Sequence, residues 1–122
     1  DVNTGKFTGT DDPEATVFTT NAEAAAEIAR LLRLRDIGGI VLVDFIDMTS
    51  EEHRADVAAL LEHEFRKDRT KTFAVGWTKL GLMEITRKKA RESLDDSMLA
   101  VCNACGGSGK VPLERDSPRR RR

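Results

Sequence analysis

This sequence is short of the features that usually announce a function class. It has two cysteines, Cys102 and Cys105, three positions apart. Two cysteines so close together are a poor disulfide scaffold for a secreted domain, and a reducing cytoplasm is expected. No apolar run approaches the roughly 20 residues that a membrane-spanning helix needs. No secretory segment is visible at the start of the sequence. The formal net charge is -1, so average composition argues neither for nor against a polyanionic partner. Histidine is equally sparse. His53 and His63 fall on one expected helix, about 80 degrees apart around its axis, and so are not an i, i+4 metal pair. Both are expected at the surface. The mass of 13.5 kDa leaves room for one domain with a modest core.

What the sequence does have is local. Acids gather around Asp11, Asp12 and Glu14, and again around Glu51, Glu52 and Asp56. Bases gather in Arg66-Lys67-Asp68-Arg69-Thr70-Lys71, in Arg87-Lys88-Lys89-Ala90-Arg91 and in the last four residues. A local basic face can bind phosphate in a chain of neutral total charge. The alternative for any one run is solvated surface.

The order of elements follows from periodicity and punctuation. Val2 to Lys6 reads as the end of a strand, and residues 7–16 as a turn-rich loop. Thr20 and Glu23 have capping-box spacing and predict a helix to about Arg35. Ala22, Ala25, Ala26, Ile28, Ala29, Leu31 and Leu32 supply its broad apolar face. Asp36-Ile37-Gly38-Gly39 stops it. Ile40 to Phe45 then reads as a strand without polar alternation before Asp44, as in a strand covered on both faces. Thr49 and Glu52 repeat the cap spacing and predict a second helix to about Lys67, with Val57, Leu60, Leu61 and Phe65 on one side. Thr72 to Trp77 is a predicted strand, Thr78 to Gly81 a turn, and Leu82 to Arg87 a strand in which Met83 and Ile85 alternate with Glu84 and Thr86. The sum is a small α/β layer. A short helix is expected within Ser93–Ala100. The expected divisions are an α/β subdomain over 1–98, a cysteine knuckle over 99–109 and a basic, disordered tail over 110–122.

Three groups of residues carry possible chemistry. Asp1 and Asn3 share one side of an extended segment, because strand side chains alternate. Asp44 ends an apolar strand at the rim of a sheet, where sheet proteins tend to place ligands. Two carboxylates and an amide oxygen are hard donors suited to Mg2+, an ion that activates water and neutralises phosphate charge. The plain alternative is a chain end and a strand-end acid. Asp47 could orient a water or bond to amides in the turn. A chain that begins on such a ligand is expected to be a piece of an enzyme. Lys67, Arg69 and Lys71 follow the second helix. They either oppose its dipole or hold a phosphate backbone near the acidic site. Phe73 and Trp77 share a face by period two, and so either stack on bases or pack in one core. Last, Cys102-Asn103-Ala104-Cys105-Gly106-Gly107-Ser108-Gly109 can grip zinc with two thiolates, its glycines allowing a tight knuckle. Structural zinc wants four ligands, so a second copy of the chain is the expected source of the other two, which makes the knuckle a dimer clasp. A redox pair and two unmetallated thiols are the rival readings.

In this order and spacing, the residues resemble the catalytic domain of the bacterial ribonuclease E/G family as far as Gly109. The stretches that carry the resemblance are Asp1 to Phe7, Thr19-Thr20-Asn21 through Arg30, Leu32 to Gly39, Asp44-Phe45-Ile46-Asp47-Met48, Asp68-Arg69-Thr70-Lys71, Gly81 to Arg87 and the cysteine knuckle. The resemblance implies a DNase I-like subdomain with a C-terminal zinc-link. It implies a magnesium-dependent endoribonuclease that cuts single-stranded, often A/U-rich RNA and leaves a 5'-phosphate and a 3'-hydroxyl. It puts the family's magnesium aspartates on Asp1 and Asp44, a supporting asparagine on Asn3, a basic residue near RNA on Lys71 and a zinc shared between subunits on Cys102 and Cys105. It further implies dimers of dimers, processing of ribosomal and transfer RNA precursors, messenger RNA turnover and, for some members, an RNA-degradation complex. Asn103 stands where family knuckles often carry Pro, which bears on stiffness and leaves both ligands in place. The family's S1 RNA-binding domain, 5'-end sensor and RNase H-like portion are expected before Asp1, so the isolated chain is expected to be nearly inactive. The alternative is a zinc-clasped oligomerisation or RNA-binding module without chemistry of its own. The basic tail suits RNA or an anionic membrane alike.

Overall fold

Helix α1 spans Pro13–Arg35 in the computed structural model, which describes Val2 and residues 13–113. The helix starts well before Thr20, so residues 13–16 are helical and Thr20 is no cap. Proline at the first helical position explains the earlier start, since its fixed φ suits the helix and its missing N–H would have had no partner there. Thr19 turns its hydroxyl back onto the Ala15 carbonyl (3.0 Å), the usual use of a threonine inside a helix. The expected strand end and the rest of the first loop lie outside the described residues, as do Asp1, Asn3 and the end of the tail. Val2 is described, and its N–H donates to the Asp44 carbonyl (3.1 Å).

The helix ends as the sequence predicts. Asp36 adopts φ 51°, and the N–H groups of Asp36 and Ile37 return to the carbonyls of Arg33 and Leu32. This is a left-handed cap with an aspartate in the place where glycine is commonest. Gly38 has a different constraint, because a Cβ there would lie 2.7 Å from the Lys89 Cα.

Strand β1 (Gly39–Val43), helix α2 (Glu51–Phe65), strands β2 (Thr72–Trp77) and β3 (Met83–Arg87) and the short helix α3 (Leu94–Met98) follow. The fold is α/β, with one three-stranded antiparallel sheet in the order β1-β3-β2. Ser50, rather than Thr49, caps α2, its hydroxyl accepting from the His53 N–H (3.2 Å). Thr49 instead donates to Glu14 of α1 (2.8 Å).

Both long helices contribute to a core on one side of the sheet. Ala25, Ala29 and Leu32 of α1 and Val57, Leu61 and Phe65 of α2 meet Val43, Phe45, Met83 and Ile85. The opposite face is open. Ile40 is 79% and Leu42 56% exposed, which corrects the expectation that β1 is covered on both sides. An unbroken apolar run reads the same whether its second face is packed inside the chain or not. His53 also departs from expectation. It is half-buried and stacks on Phe18 with ring centroids 4.6 Å apart, and its Nδ1 has no hydrogen-bond partner among the described residues.

Strand β2 holds an irregularity with consequences. Ala74 pairs with Ile85 and Gly76 with Glu84, so Val75 is an extra residue, a β-bulge. Period two would put Phe73 and Trp77 on one face. The bulge shifts the alternation by one between them. Phe73 stays on the open face, while Trp77 turns to the core, its ring 5.8 Å from Phe45 and its indole N–H on the Arg54 carbonyl (3.2 Å). Gly76, with φ 142°, supplies the backbone conformation that the bulge requires. Among the described residues, no helix is long and apolar enough to cross a membrane.

Candidate functional site

The sheet has two distinct ends. Val43, Met83 and Trp77 are level at one end, and Gly39, Arg87 and Thr72 at the other. Asp44 lies just beyond the first. The segment that it opens, as far as Ser50, is irregular backbone held by side chains. Asn21 of α1 is fully buried and grips Ile46 twice, accepting from its N–H (3.1 Å) and donating to its carbonyl (2.8 Å). The amide side chain thus imitates a neighbouring strand. Arg54 of α2 donates to the Met48 carbonyl (2.6 Å). Asn21 was missed as a supporting residue by sequence reasoning. The signal was present: Asn21 shares its spacing with Ala25 and Ala29, so a polar residue occupies an apolar stripe.

This scaffold leaves the acids free. Asp44 is half-buried and Asp47 exposed, and neither carboxylate forms an ion pair or hydrogen bond among the described residues. A depression of about 380 Å³ opens beside Phe45, lined also by Asp47, Arg54, Trp77 and Lys79. Among the described residues, no three His, Cys, Asp or Glu side chains gather as metal ligands. The other two expected members of the Asp44 site, Asp1 and Asn3, lie outside those residues.

The basic residues Lys67, Arg69 and Lys71 lead into the other end of the sheet. Four strand steps separate Gly39 from Val43, about 13 Å by the rise of a strand, so these bases are not beside Asp44 as expected. Lys67 is engaged by both Glu64 oxygens (2.9 and 3.0 Å). Arg69 and Lys71 are exposed, and neither side chain pairs with an acid among the described residues. Their backbone is set by Asp68 between them. Its carboxylate accepts from the Thr70 N–H (2.9 Å), the Thr72 hydroxyl (3.1 Å) and Arg87 Nε (2.9 Å). Arg87, read from sequence as part of a basic surface run, is buried, its side chain 4% exposed. It also reaches Asp36 (3.2 Å) and the Ile37 carbonyl (3.2 Å), so one guanidinium ties the end of α1, the loop before β2 and strand β3. Burial raises the Asp68 pKa, but hydrogen bonds from Arg87, Thr70 and Thr72 and the Arg87 charge outweigh it and hold the carboxyl below its ordinary range.

The cysteine knuckle is a tight turn beyond α3. The Gly106 N–H donates to the Cys102 carbonyl (2.8 Å), and the Gly109 N–H to Cys105 Sγ (3.4 Å). Hydrogen bonds from the backbone of Gly109 and Gly107, and from the Cys102 side chain, hold the Cys105 thiol below its ordinary pKa. Both cysteines are free. The turn thus stabilises the Cys105 thiolate relative to a free thiol, and thiolate is the form in which sulfur binds metal.

These features define an α/β unit with acids at one sheet end and bases at the other that are unpaired among the described residues, and a cysteine knuckle after it. The chain matches the ribonuclease E/G family over residues 1–90 and belongs to that family. It is 49% identical over 111 residues to Ribonuclease G of Escherichia coli K12, covering 91% of this chain and 23% of that protein. Ribonuclease G of Haemophilus influenzae gives the same identity and the same coverage of both chains. Ribonuclease E of Escherichia coli K12 is 43% identical over 111 residues, covering 91% of this chain and 10% of that protein. The chain thus spans less than a quarter of the length of these relatives.

Proposed function

We propose that this chain is the DNase I-like part of a magnesium-dependent endoribonuclease that hydrolyses single-stranded RNA in cytoplasmic RNA processing and messenger RNA decay. Membership of the ribonuclease E/G family supports the reaction class. The observation that carries the site is the bond from the Val2 N–H to the Asp44 carbonyl, since Val2 stands between Asp1 and Asn3 in the chain. Asp44, half-exposed at a strand end and free of ion pairs among the described residues, has the donor chemistry that Mg2+ takes. Asp1 and Asp44 would hold the ion, with Asn3 in support, and a bound Mg2+ supplies a Lewis acid for phosphodiester hydrolysis. Asn21 keeps the segment after Asp44 in place. Arg69 and Lys71 hold the RNA backbone, with Lys67 contributing less because Glu64 already engages it. In the intact parent protein, Asp44→Asn is expected to lower cleavage by orders of magnitude and to leave RNA affinity nearly intact. Wild-type rates in that variant would reject the assignment.

The knuckle is the assembly element in this reading. Cys102 and Cys105 from each of two chains would complete one tetrahedral zinc site, and tetramers would pair such dimers. The N–H groups aimed at Cys105 suit a ligating thiolate. Native mass spectrometry should give one zinc per two chains, and Cys105→Ser should yield monomers with the α/β core intact. A zinc-free dimer would reject the clasp.

A second reading is a zinc-clasped RNA-binding module without chemistry of its own. The separation of the free bases from Asp44 favours it for the isolated chain, which is expected to bind RNA and cleave it little or not at all. Robust turnover by the isolated chain with Mg2+ would remove this reading.

A further inference from the structure

We propose that Phe73, flanked by Lys71 and Lys88, is a stacking site for an unpaired base of single-stranded RNA on the open face of the sheet. The proposal rests on the reading of the chain as RNA-handling and adds a contact that its active-site residues do not include. Phe73 is 55% exposed, although it is a large aromatic in a strand. The bulge at Val75 separates it from Trp77, so the ring is left outside the core while the other aromatic of β2 is used within it. Across the sheet it lies level with Thr86 and Ile40. Ile40, Thr86 and Phe73 line a shallow depression of about 390 Å³, and Lys71 and Lys88 stand at its edge.

An exposed aromatic on an apolar sheet face suits several partners, and charge selects among them here. Lys71 and Lys88 are exposed, and neither ammonium meets an acid among the described residues. The Lys88 N–H donates to the Lys71 carbonyl (2.9 Å), so the two side chains leave from adjacent points beside the ring. Arg69 is exposed, lines a neighbouring depression with Lys71 and Phe73, and pairs with no acid among the described residues. Two acids stand nearby among the described residues: Glu84, level with Leu42 and Gly76 in the next row toward Asp44, and Glu62, whose Oε1 accepts from the Ala74 N–H (2.6 Å) and is thereby engaged at the edge of β2. An apolar ring edged by free cations matches a base joined to its phosphate, the combination by which proteins hold single strands. Sheets that bind single-stranded RNA place aromatic side chains on an open face in the same way.

The test compares two labelled probes on the full 122-residue chain. One is a single-stranded oligouridylate and the other an abasic ribose-phosphate strand of equal length. Stacking of one base is worth about 1–3 kcal/mol, so wild type should prefer the oligouridylate by about 5- to 150-fold. Phe73→Ala should abolish that preference and Phe73→Trp should retain it. Lys88→Ala should weaken both probes equally. Thermal unfolding of each variant should match wild type, since the ring is outside the core. Equal affinity for the two probes, with Phe73→Ala unchanged and Lys71→Ala weakened, would overturn stacking while leaving the RNA reading intact. No binding of either probe by wild type would overturn both. Unchanged RNA affinity together with a shift in sedimentation for Phe73→Ala would instead assign this face to contact between copies of the chain.

Discussion

The two ends of the sheet are stabilised by opposite means, and each means determines which charges are left over. At the Asp44 end the irregular backbone is held by an amide, Asn21, and by Arg54 donating to a carbonyl. Neither contact uses Asp44 or Asp47, whose carboxylates form no ion pair among the described residues. At the other end the strands and loops are held by Arg87 buried between Asp68 and Asp36. Those acids are consumed internally, and Arg69, Lys71 and Lys88 pair with no acid among the described residues. A chain with a net charge of -1 is thereby polarised along a sheet of five-residue scale. The separation of about 13 Å exceeds the Debye length of about 8 Å at physiological salt, so the free charges at the two ends are largely screened from one another.

The largest expected effect comes from breaking the basic end. Arg87→Ala leaves two acids without their buried partner and should cost about 3–5 kcal/mol, read by urea denaturation. A loss of about 1 kcal/mol or less would mean that the network is not what orders this end. Next is the neutral clamp. Asn21→Ala strips partners from both backbone groups of Ile46 and should cost about 2–3 kcal/mol. In the parent protein it should also slow cleavage while sparing RNA affinity, because it disturbs only the Asp44 end.

Acid gives a graded version of the same contrast. The Asp68 carboxyl has a folded pKa below its unfolded value. It therefore adds stability that is fully present above the ordinary carboxylate pKa of about 4 and is lost as pH falls through the folded value. Denaturation curves from about pH 2 to 7 should show this acid limb, and Asp68→Asn should flatten it. The smallest effect is on salt dependence. Arg69→Ala and Lys71→Ala should each reduce the slope of log affinity for single-stranded RNA against log salt by about 0.7. An unchanged slope would return these residues to the solvated surface.

Much of this layout could be read from sequence where local chemistry is decisive. The stop after Arg35, the strands β2 and β3, the turn between them and the buried stripe of Val57, Leu61 and Phe65 all follow from periodicity and turn residues. Asp44 at a strand end was legible for the same reason. What escaped depends on partners distant in sequence. Asn21 meets Ile46 and Arg87 meets Asp36, and no local pattern marks either pairing. A run of bases looks the same whether one of its arginines is exposed or buried. The bulge at Val75 inserts one residue into an otherwise regular alternation, and so reverses the side of everything after it. That single residue decides which of Phe73 and Trp77 belongs to the core.

The proposed function divides labour between the sheet ends, with chemistry at Asp44 and RNA contact at Arg69 and Lys71. Steady-state cleavage of a single-stranded RNA by the intact parent protein, comparing Asp44→Asn with Lys71→Ala, tests it most directly. Asp44→Asn should lower kcat at nearly constant KM, and Lys71→Ala should raise KM at nearly constant kcat, the signature of lost binding common to ground and transition states. A loss of kcat at unchanged KM from Lys71→Ala, equal to that from Asp44→Asn, would contradict it, since both ends would then act in the chemical step.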